Sequence, residues 1–99
     1  MPPVVYSFDG INIVIYPNDH EPIHIHAKYN EYETIFELHF QDGILIKITE
    51  RASGKKKIPI SKNKKIVKFI NQYNLKIVEK WTQIVILKKS VRLTKLNNL

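Results

Sequence analysis

The run Ile23-His24-Ile25-His26-Ala27-Lys28-Tyr29, followed after Asn30-Glu31 by Tyr32-Glu33-Thr34-Ile35-Phe36-Glu37-Leu38, decides the fold. Side chains on a strand alternate between its two faces. Ile23, Ile25 and Ala27 therefore share one face, and His24, His26 and Lys28 share the other. A hairpin about Asn30-Glu31 sets Ile23 opposite Leu38, Ile25 opposite Phe36 and Ala27 opposite Thr34. Asn30 suits that turn because asparagine tolerates the left-handed conformation. On the reverse face Lys28 meets Glu33, His24 meets Glu37 and His26 meets Ile35. One face is continuously apolar and opposite charges pair on the other, which specifies the register.

The same alternation extends in both directions. Upstream, Val4 to Phe8 and Ile11 to Tyr16 flank Asp9-Gly10, the strongest short-range signal of a hairpin, because a type I′ turn needs positive φ at both central residues. Phe8 then faces Ile11, Tyr6 faces Ile13 and Val4 faces Ile15. Ser7 with Asn12 and Val5 with Val14 take the other side. Downstream, Gln41-Asp42-Gly43 reads as a three-residue loop with glycine at the left-handed position. That loop places Phe40 against Ile44, Leu38 against Ile46 and Phe36 against Ile48, with Glu37 against Lys47 and His39 against Leu45 behind them. A two-residue Asp42-Gly43 loop would instead set Leu38 against Lys47.

Residues 49–60 read as a polar, mobile connection containing Ser53-Gly54 and Lys55-Lys56-Lys57. Pro59-Ile60-Ser61 starts a helix with Ser61 as its N-cap. Ile66, Val67, Phe69, Ile70 and Tyr73 form a helical stripe, Asn74 breaks it, and Ile77, Val78, Trp81, Ile84 and Val85 form a second. Beyond Lys88 the weak alternation of Val91 and Leu93 suits either an edge strand or a frayed end. The expectation is one α+β domain over residues 1–99. It has an antiparallel sheet of about five strands in a hairpin meander, followed by two helices packed on its apolar face, with Phe36, Leu38, Ile46 and Trp81 in the core.

The chain has 99 residues, which fits one core. An apolar share of 43% argues against disorder. There is no cysteine, which excludes a disulfide framework and thiolate metal sites. No apolar run approaches the length of a membrane span, and Met1-Pro2-Pro3-Val4-Val5 lacks the basic-then-apolar pattern of a signal peptide. The reading is a cytoplasmic protein with no membrane partner. Charge is divided unevenly: residues 1–50 hold two basic and eight acidic residues, and residues 51–99 hold fourteen basic residues and Glu79 as the one acidic residue. A partner for the basic half, or attraction between the halves, would answer that asymmetry.

Three of the four histidines gather before and within the third strand, in Asp19-His20-Glu21-Pro22-Ile23-His24-Ile25-His26. The His-x-His spacing puts both imidazoles of His24 and His26 on one face, while Pro17, Asn18 and Pro22 place Asp19 and His20 in a loop beside them. Three readings stay open. Asp19, His20, His24 and His26 are candidate ligands of a divalent metal ion such as zinc, manganese or iron, with a position left for water. Without a metal, His20, His24 and His26 are candidate acid–base groups, for example in RNA cleavage, with Glu37 orienting His24. As structure alone, the histidines are polar cross-strand partners and Asp19-His20 caps a turn. No serine or cysteine nucleophile stands near them, and no glycine-rich phosphate loop occurs.

Lys55, Lys56, Lys57, Lys64 and Lys65, with Lys62 and Lys68, fall within fourteen residues. On one surface they suit phosphates of a nucleic acid or an acidic protein, and otherwise they are a solvated face. No helix-turn-helix glycine and no aromatic stacking pair is evident beside them.

Several of these residues together carry a resemblance. Gly10-Ile11 with Ile13, then Tyr16, Asp19, His20, Pro22, His24, His26 and Ala27, then Tyr29, Tyr32 and Glu33, resemble the small bacterial domain of unknown function 4160 family, as do the Pro59 helix start and Trp81. The chain departs from that pattern at Asn30-Glu31, at Ile25 and in its basic helices. The resemblance implies a small α+β protein of bacteria and mobile elements. Its genes are similar to toxin components encoded beside a small antitoxin-like protein. The expected function is thus a toxin acting on RNA or translation through the histidine-rich site. The alternative is a non-catalytic regulatory module that binds nucleic acid or protein.

Overall fold

The computed structural model describes residues 3–97. Met1 and Pro2, on which part of the signal-peptide reading falls, and Asn98 and Leu99 lie outside the described residues. The strands are β1 (Val4–Phe8), β2 (Ile11–Val14), β3 (His24–Tyr29), β4 (Tyr32–Gln41), β5 (Ile44–Ala52) and β6 (Thr94–Lys95). They form one six-stranded sheet in the order β5-β4-β3-β2-β1-β6. The first five strands are an antiparallel meander, as the hairpin signals imply, while β6 adds parallel to β1. The sheet is therefore mixed and one strand larger than expected.

The β3–β4 register follows the sequence reading pair for pair, from His24 against Glu37 to Tyr29 against Tyr32. Two bulges revise its neighbours. In β1, Val4 pairs with Val14 and Tyr6 with Ile13, so Val5 is the extra residue. Val5 is fully buried and joins the core in the place expected for Val4. In β5, Asp42 and Gly43 both take positive φ, 52° and 79°, and make a two-residue turn that pairs Gln41 with Ile44. A bulge at Ile46 then restores the pattern, so that Leu38 meets Ile48 rather than Lys47. Ile46 is consequently 59% exposed, against the expectation that it belongs to the core.

The two expected helices are one. The helix α1 (Ile60–Trp81) runs unbroken through Asn74 and continues as a wider π-type turn over Thr82–Ile86. Ile66, Phe69, Ile70, Ile77 and Trp81 are its buried residues, a single stripe in phase across Asn74. An interior asparagine costs a helix only about 0.7 kcal/mol relative to alanine, whereas each buried Ile or Phe contributes roughly 1.5–3 kcal/mol. Packing wins, and Asn74 donates to the Asn71 carbonyl instead of ending the helix. Nor is Ser61 the N-cap. The Pro59 carbonyl accepts from the N–H groups of Lys62 and Asn63, so the helix begins one residue after the proline.

The helix crosses the apolar sheet face from the β5 edge to the β6 edge. Phe69 is the hub, with its ring 5.0 Å from Tyr6, 4.9 Å from Phe8 and 5.4 Å from Tyr73. At the far edge the Lys80 ammonium lies 3.8 Å from the Tyr6 ring centre. It donates to the carbonyls of Val5 and Arg92 and to Thr94 Oγ1, tying β6 to the helix. The helix thus covers one face of the sheet and lies opposite the face bearing His24 and His26.

Candidate metal centre

Residues 16–22 bring Asp19 to the sheet face opposite the helix, while Ile15 and Ile23 pack with the core. The Tyr16 N–H donates to Asp19 Oδ2 at 3.0 Å, and the Asp19 N–H donates to the Tyr16 carbonyl at 3.0 Å. This doubly closed turn delivers the Asp19 carboxylate to β3. Its Oδ1 lies 3.4 Å from His24 Nε2 and its Oδ2 lies 3.5 Å from His26 Nε2. The two imidazole centres are 5.2 Å apart, and Tyr16 packs edge-on against His26 at 4.7 Å.

The other ring nitrogen of each histidine faces an oxygen acceptor. His24 Nδ1 is 2.8 Å from the Pro22 carbonyl, which can only accept, so Nδ1 carries the hydrogen. His26 Nδ1 is 3.4 Å from Glu33 Oε2, again an acceptor. With Nδ1 of His24 so engaged, its Nε2 faces Asp19 Oδ1, and Nε2 of His26 faces Asp19 Oδ2. Lone pairs facing a carboxylate require a proton or a cation between them. The pattern of Nδ1–H held by a carbonyl or carboxylate, with Nε2 presented, is that of metal-ligating histidines.

Burial sharpens the requirement. The side chains of His24, His26 and Asp19 are only 6%, 13% and 12% exposed. His26 Nε2 is buried and has no hydrogen-bond partner. Burial disfavours the charged Asp19 carboxylate, but contacts from His24, His26 and the Tyr16 N–H outweigh it and hold the pKa well below the usual carboxylate range. The bond to Asp19 raises the pKa of His24 against the opposing effects of burial and of the Arg51 charge. One atom from each of Asp19, His24 and His26 lies within 4.8 Å of the others. Ligand bonds of about 2.1 Å around a tetrahedral ion put neighbouring ligand atoms roughly 3.4 Å apart. Each imidazole stands at about that spacing from one of the two Asp19 oxygens, Oδ1 for His24 and Oδ2 for His26.

The other expected site residues are placed elsewhere. His20 is exposed, with its Nδ1 3.4 Å from the Glu21 carbonyl, and is not in the group. Glu37 lies opposite His24 in the ladder, but its carboxylate accepts from Thr49 Oγ1 and Arg51 Nε, both at 3.2 Å. Glu37 also lies 3.9 Å from His39 Nε2, whereas the β4 carboxylate that reaches the His24–His26 cluster is Glu33, 8% exposed, which the sequence reading did not select. Its signal was present, because Glu33 sits two residues along β4 from Ile35, the cross-strand partner of His26, and diagonal neighbours on one face lie within reach. Lys55, Lys56, Lys57 and Lys64 are exposed at the start of α1, while Lys65 pairs with Asp9. The connection that carries Lys55–Lys57 is anchored rather than free. The Glu33 N–H donates to the Lys56 carbonyl, the Ile58 N–H donates to Thr34 Oγ1, and Ile58 is buried.

Among the described residues no helix is long and apolar enough to cross a membrane. The family model described as Domain of unknown function (DUF4160) matches residues 10–82, and the chain belongs to that family. The match contains β2, β3, β4 and β5, the Asp19 turn, both histidines and all of α1. No curated protein matches the chain, and neither does any solved structure.

Proposed function

We propose that this domain binds a divalent ion of the zinc, manganese or iron class through Asp19, His24 and His26. We further propose that it acts through that site, as a toxin component, on RNA or the translation apparatus, restrained by a small partner protein. The observation carrying the metal reading is the convergence of two Nε2 atoms and one carboxylate, each Nδ1 being already engaged. An ion with three protein ligands keeps a position for water, and the chemistry it supplies is activation of that water for hydrolysis. In that reading Glu33 and the Pro22 carbonyl fix the tautomer of the two rings, and Tyr16 shields one side of His26. The toxin role rests on the resemblance of the histidine motif and on the basic second half of the chain.

A second reading has its own support. The ligand side chains are scarcely exposed, which suits an ion that pins residues 15–23 onto β3 in a non-catalytic regulatory module. Two measurements separate the alternatives. Elemental analysis of protein purified without chelator should find about one equivalent of metal, and the His24→Ala, His26→Ala double variant should lose it. Expression of the unmodified chain without a partner should slow growth, and the double variant should not. Growth arrest that survives the double change removes the histidine-dependent activity. Metal lost with no effect of either chain on growth leaves the pinning role.

A further inference from the structure

At the opposite end of β3 from His24, and on the helix-covered side of the sheet, the fold assembles a second surface. Tyr29 and Tyr32 flank the Asn30-Glu31 turn and pair directly across it. Their rings are nearly parallel, 13° between planes, with centres 6.4 Å apart, and both are partly exposed at the margin of the core. The Lys62 ammonium lies 5.1 Å over the Tyr29 ring. The bond from the Glu33 N–H to the Lys56 carbonyl holds Lys55–Lys57 beside the Tyr32 end of β4. Because Ile58 is buried, that segment is fixed at its base while Lys55, Lys56 and Lys57 project to solvent. Folding thus supplies the aromatic pair that the sequence did not reveal beside the lysines.

We infer that this surface binds single-stranded nucleic acid, with Lys55–Lys57, Lys62 and Lys64 taking backbone phosphates and the Tyr32 ring taking an unpaired base. Aromatic faces beside a cationic track are the general means of holding single strands, because every base offers a π-face and every nucleotide a phosphate. In a duplex those faces are closed by stacking within the helix, so Tyr32 adds nothing to duplex binding. The first turn of α1 contains no acidic residue, so lysines and helix dipole together favour an anion there. Asp9 is spent on Lys65, and Glu31, exposed at the turn between the tyrosines, opposes the anion. The surface shares only Glu33 with the Asp19 cluster, through its backbone here and its side chain there, and uses none of Asp19, His24 and His26, so this inference stands or falls apart from the metal reading.

The test is fluorescence anisotropy with the intact protein and a labelled single strand of about 20 nucleotides, against a duplex of the same sequence, over a salt series. The strand should bind more tightly than the duplex, and its affinity should fall with salt at about −0.7 log units per phosphate contacted. Changing Lys56, Lys57 and Lys64 together to alanine should flatten that slope by about two units. Tyr32→Ala should weaken strand binding roughly tenfold at unchanged slope, while Tyr32→Phe, which keeps the ring face, should bind as the unmodified protein does. Glu31→Gln should tighten binding. Circular dichroism checks that each variant is folded. A slope near zero, a preference for duplex, or equal loss in Tyr32→Phe and Tyr32→Ala overturns the inference; the first of these leaves an acidic protein as the partner of the lysines.

Discussion

Glu33→Gln is the change that best tests how the histidine cluster works. The substitution keeps size and nearly all packing at a residue 8% exposed, but replaces the carboxylate facing His26 Nδ1 with a neutral amide. A charged acceptor makes the imidazole a stronger ligand and fixes its tautomer, and loss of such a partner costs about 10- to 100-fold in metal affinity. Each tenfold is about 1.4 kcal/mol. The effect can be read as stability. At free zinc equal to about 100 times the dissociation constant of the unmodified protein, binding stabilises the fold by roughly 2.7 kcal/mol. If Glu33→Gln weakens binding tenfold, the same zinc stabilises it by about 1.4 kcal/mol, from the logarithm of one plus the remaining tenfold excess. For a domain of this size a difference of about 1.3 kcal/mol corresponds to a zinc-induced rise in melting temperature smaller by roughly 5–10 °C. Glu37→Gln is the control, since that carboxylate serves Arg51 and Thr49 and should change zinc affinity less than threefold. Calorimetric titration of zinc into both variants gives the affinities directly. Equal losses in the two variants, or a larger loss in Glu37→Gln, would refute the assignment of Glu33 to His26.

Three further outcomes follow from particular contacts. Lys80→Met should leave the Val5 and Arg92 carbonyls and Thr94 Oγ1 without their donor, costing about 1–3 kcal/mol. The Leu96 amide, which donates to the Ser7 carbonyl beside β6, should then exchange its hydrogen faster than amides of β3. Asn74→Ala should stabilise the domain by up to about 0.7 kcal/mol in urea unfolding, since the residue lies inside a continuous helix; a loss of stability would show that Asn74 has a role in the turn between two helices. The pKa of His24 is raised in the fold, so its contribution is full below the unfolded value of about 6.5 and is lost as pH rises through the folded value. Asp19 is depressed, so its contribution is present above its unfolded value of about 3.9 and is lost only as pH falls through the folded one. Chelator-treated protein should therefore lose stability as pH rises from about 6.5 through the raised folded pKa of His24, and His24→Asn should remove that dependence.

How far the fold could be read in the sequence depended on whether neighbouring residues decided the matter. The β3–β4 register was legible because the apolar face and the charge pairs all demanded the same alignment, and a slip of one residue would have broken every pair. The β4–β5 register was not, because two local rules disagreed. Asp42-Gly43 favoured the two-residue turn, while the apolar face of Leu38 excluded the register that follows from it. The fold satisfies both by bulging at Ile46, a solution that leaves Ile44 and Ile46 exposed and that no pairwise reading of the strands would select. The helix boundary failed for a related reason. Asn74 is a breaker only when the stripe beyond it is out of phase, and Ile66, Phe69, Ile70, Ile77 and Trp81 stay in phase across it. The strand β6 was foreseen only as one of two alternatives, because its pairing with β1 depends on where the end of a 22-residue helix delivers the chain.

The candidate centre divides in the same way. His24 and His26 were placed together by strand alternation, a local rule, and Asp19 by its position in the loop before them. What sequence could not supply was the orientation of each ring. Cross-strand pairing suggests Glu37 for His24, yet Arg51 and Thr49 on the next strand already hold that carboxylate, and His24 turns its Nδ1 to its own chain at Pro22. Glu33 becomes available to His26 because its cross-strand partner is Lys28, a long side chain whose ammonium sits 5.4 Å over the Tyr16 ring. Competition among neighbours for each acceptor thus decides which carboxylate serves which imidazole. Relieving one competitor tests this. Arg51→Met should free one oxygen of Glu37, and if competition is what keeps that carboxylate from the cluster, Glu37→Gln should change zinc affinity more in the Arg51→Met background than in the unmodified protein. Strict additivity of the two changes would mean that distance alone, and not Arg51, keeps Glu37 from His24.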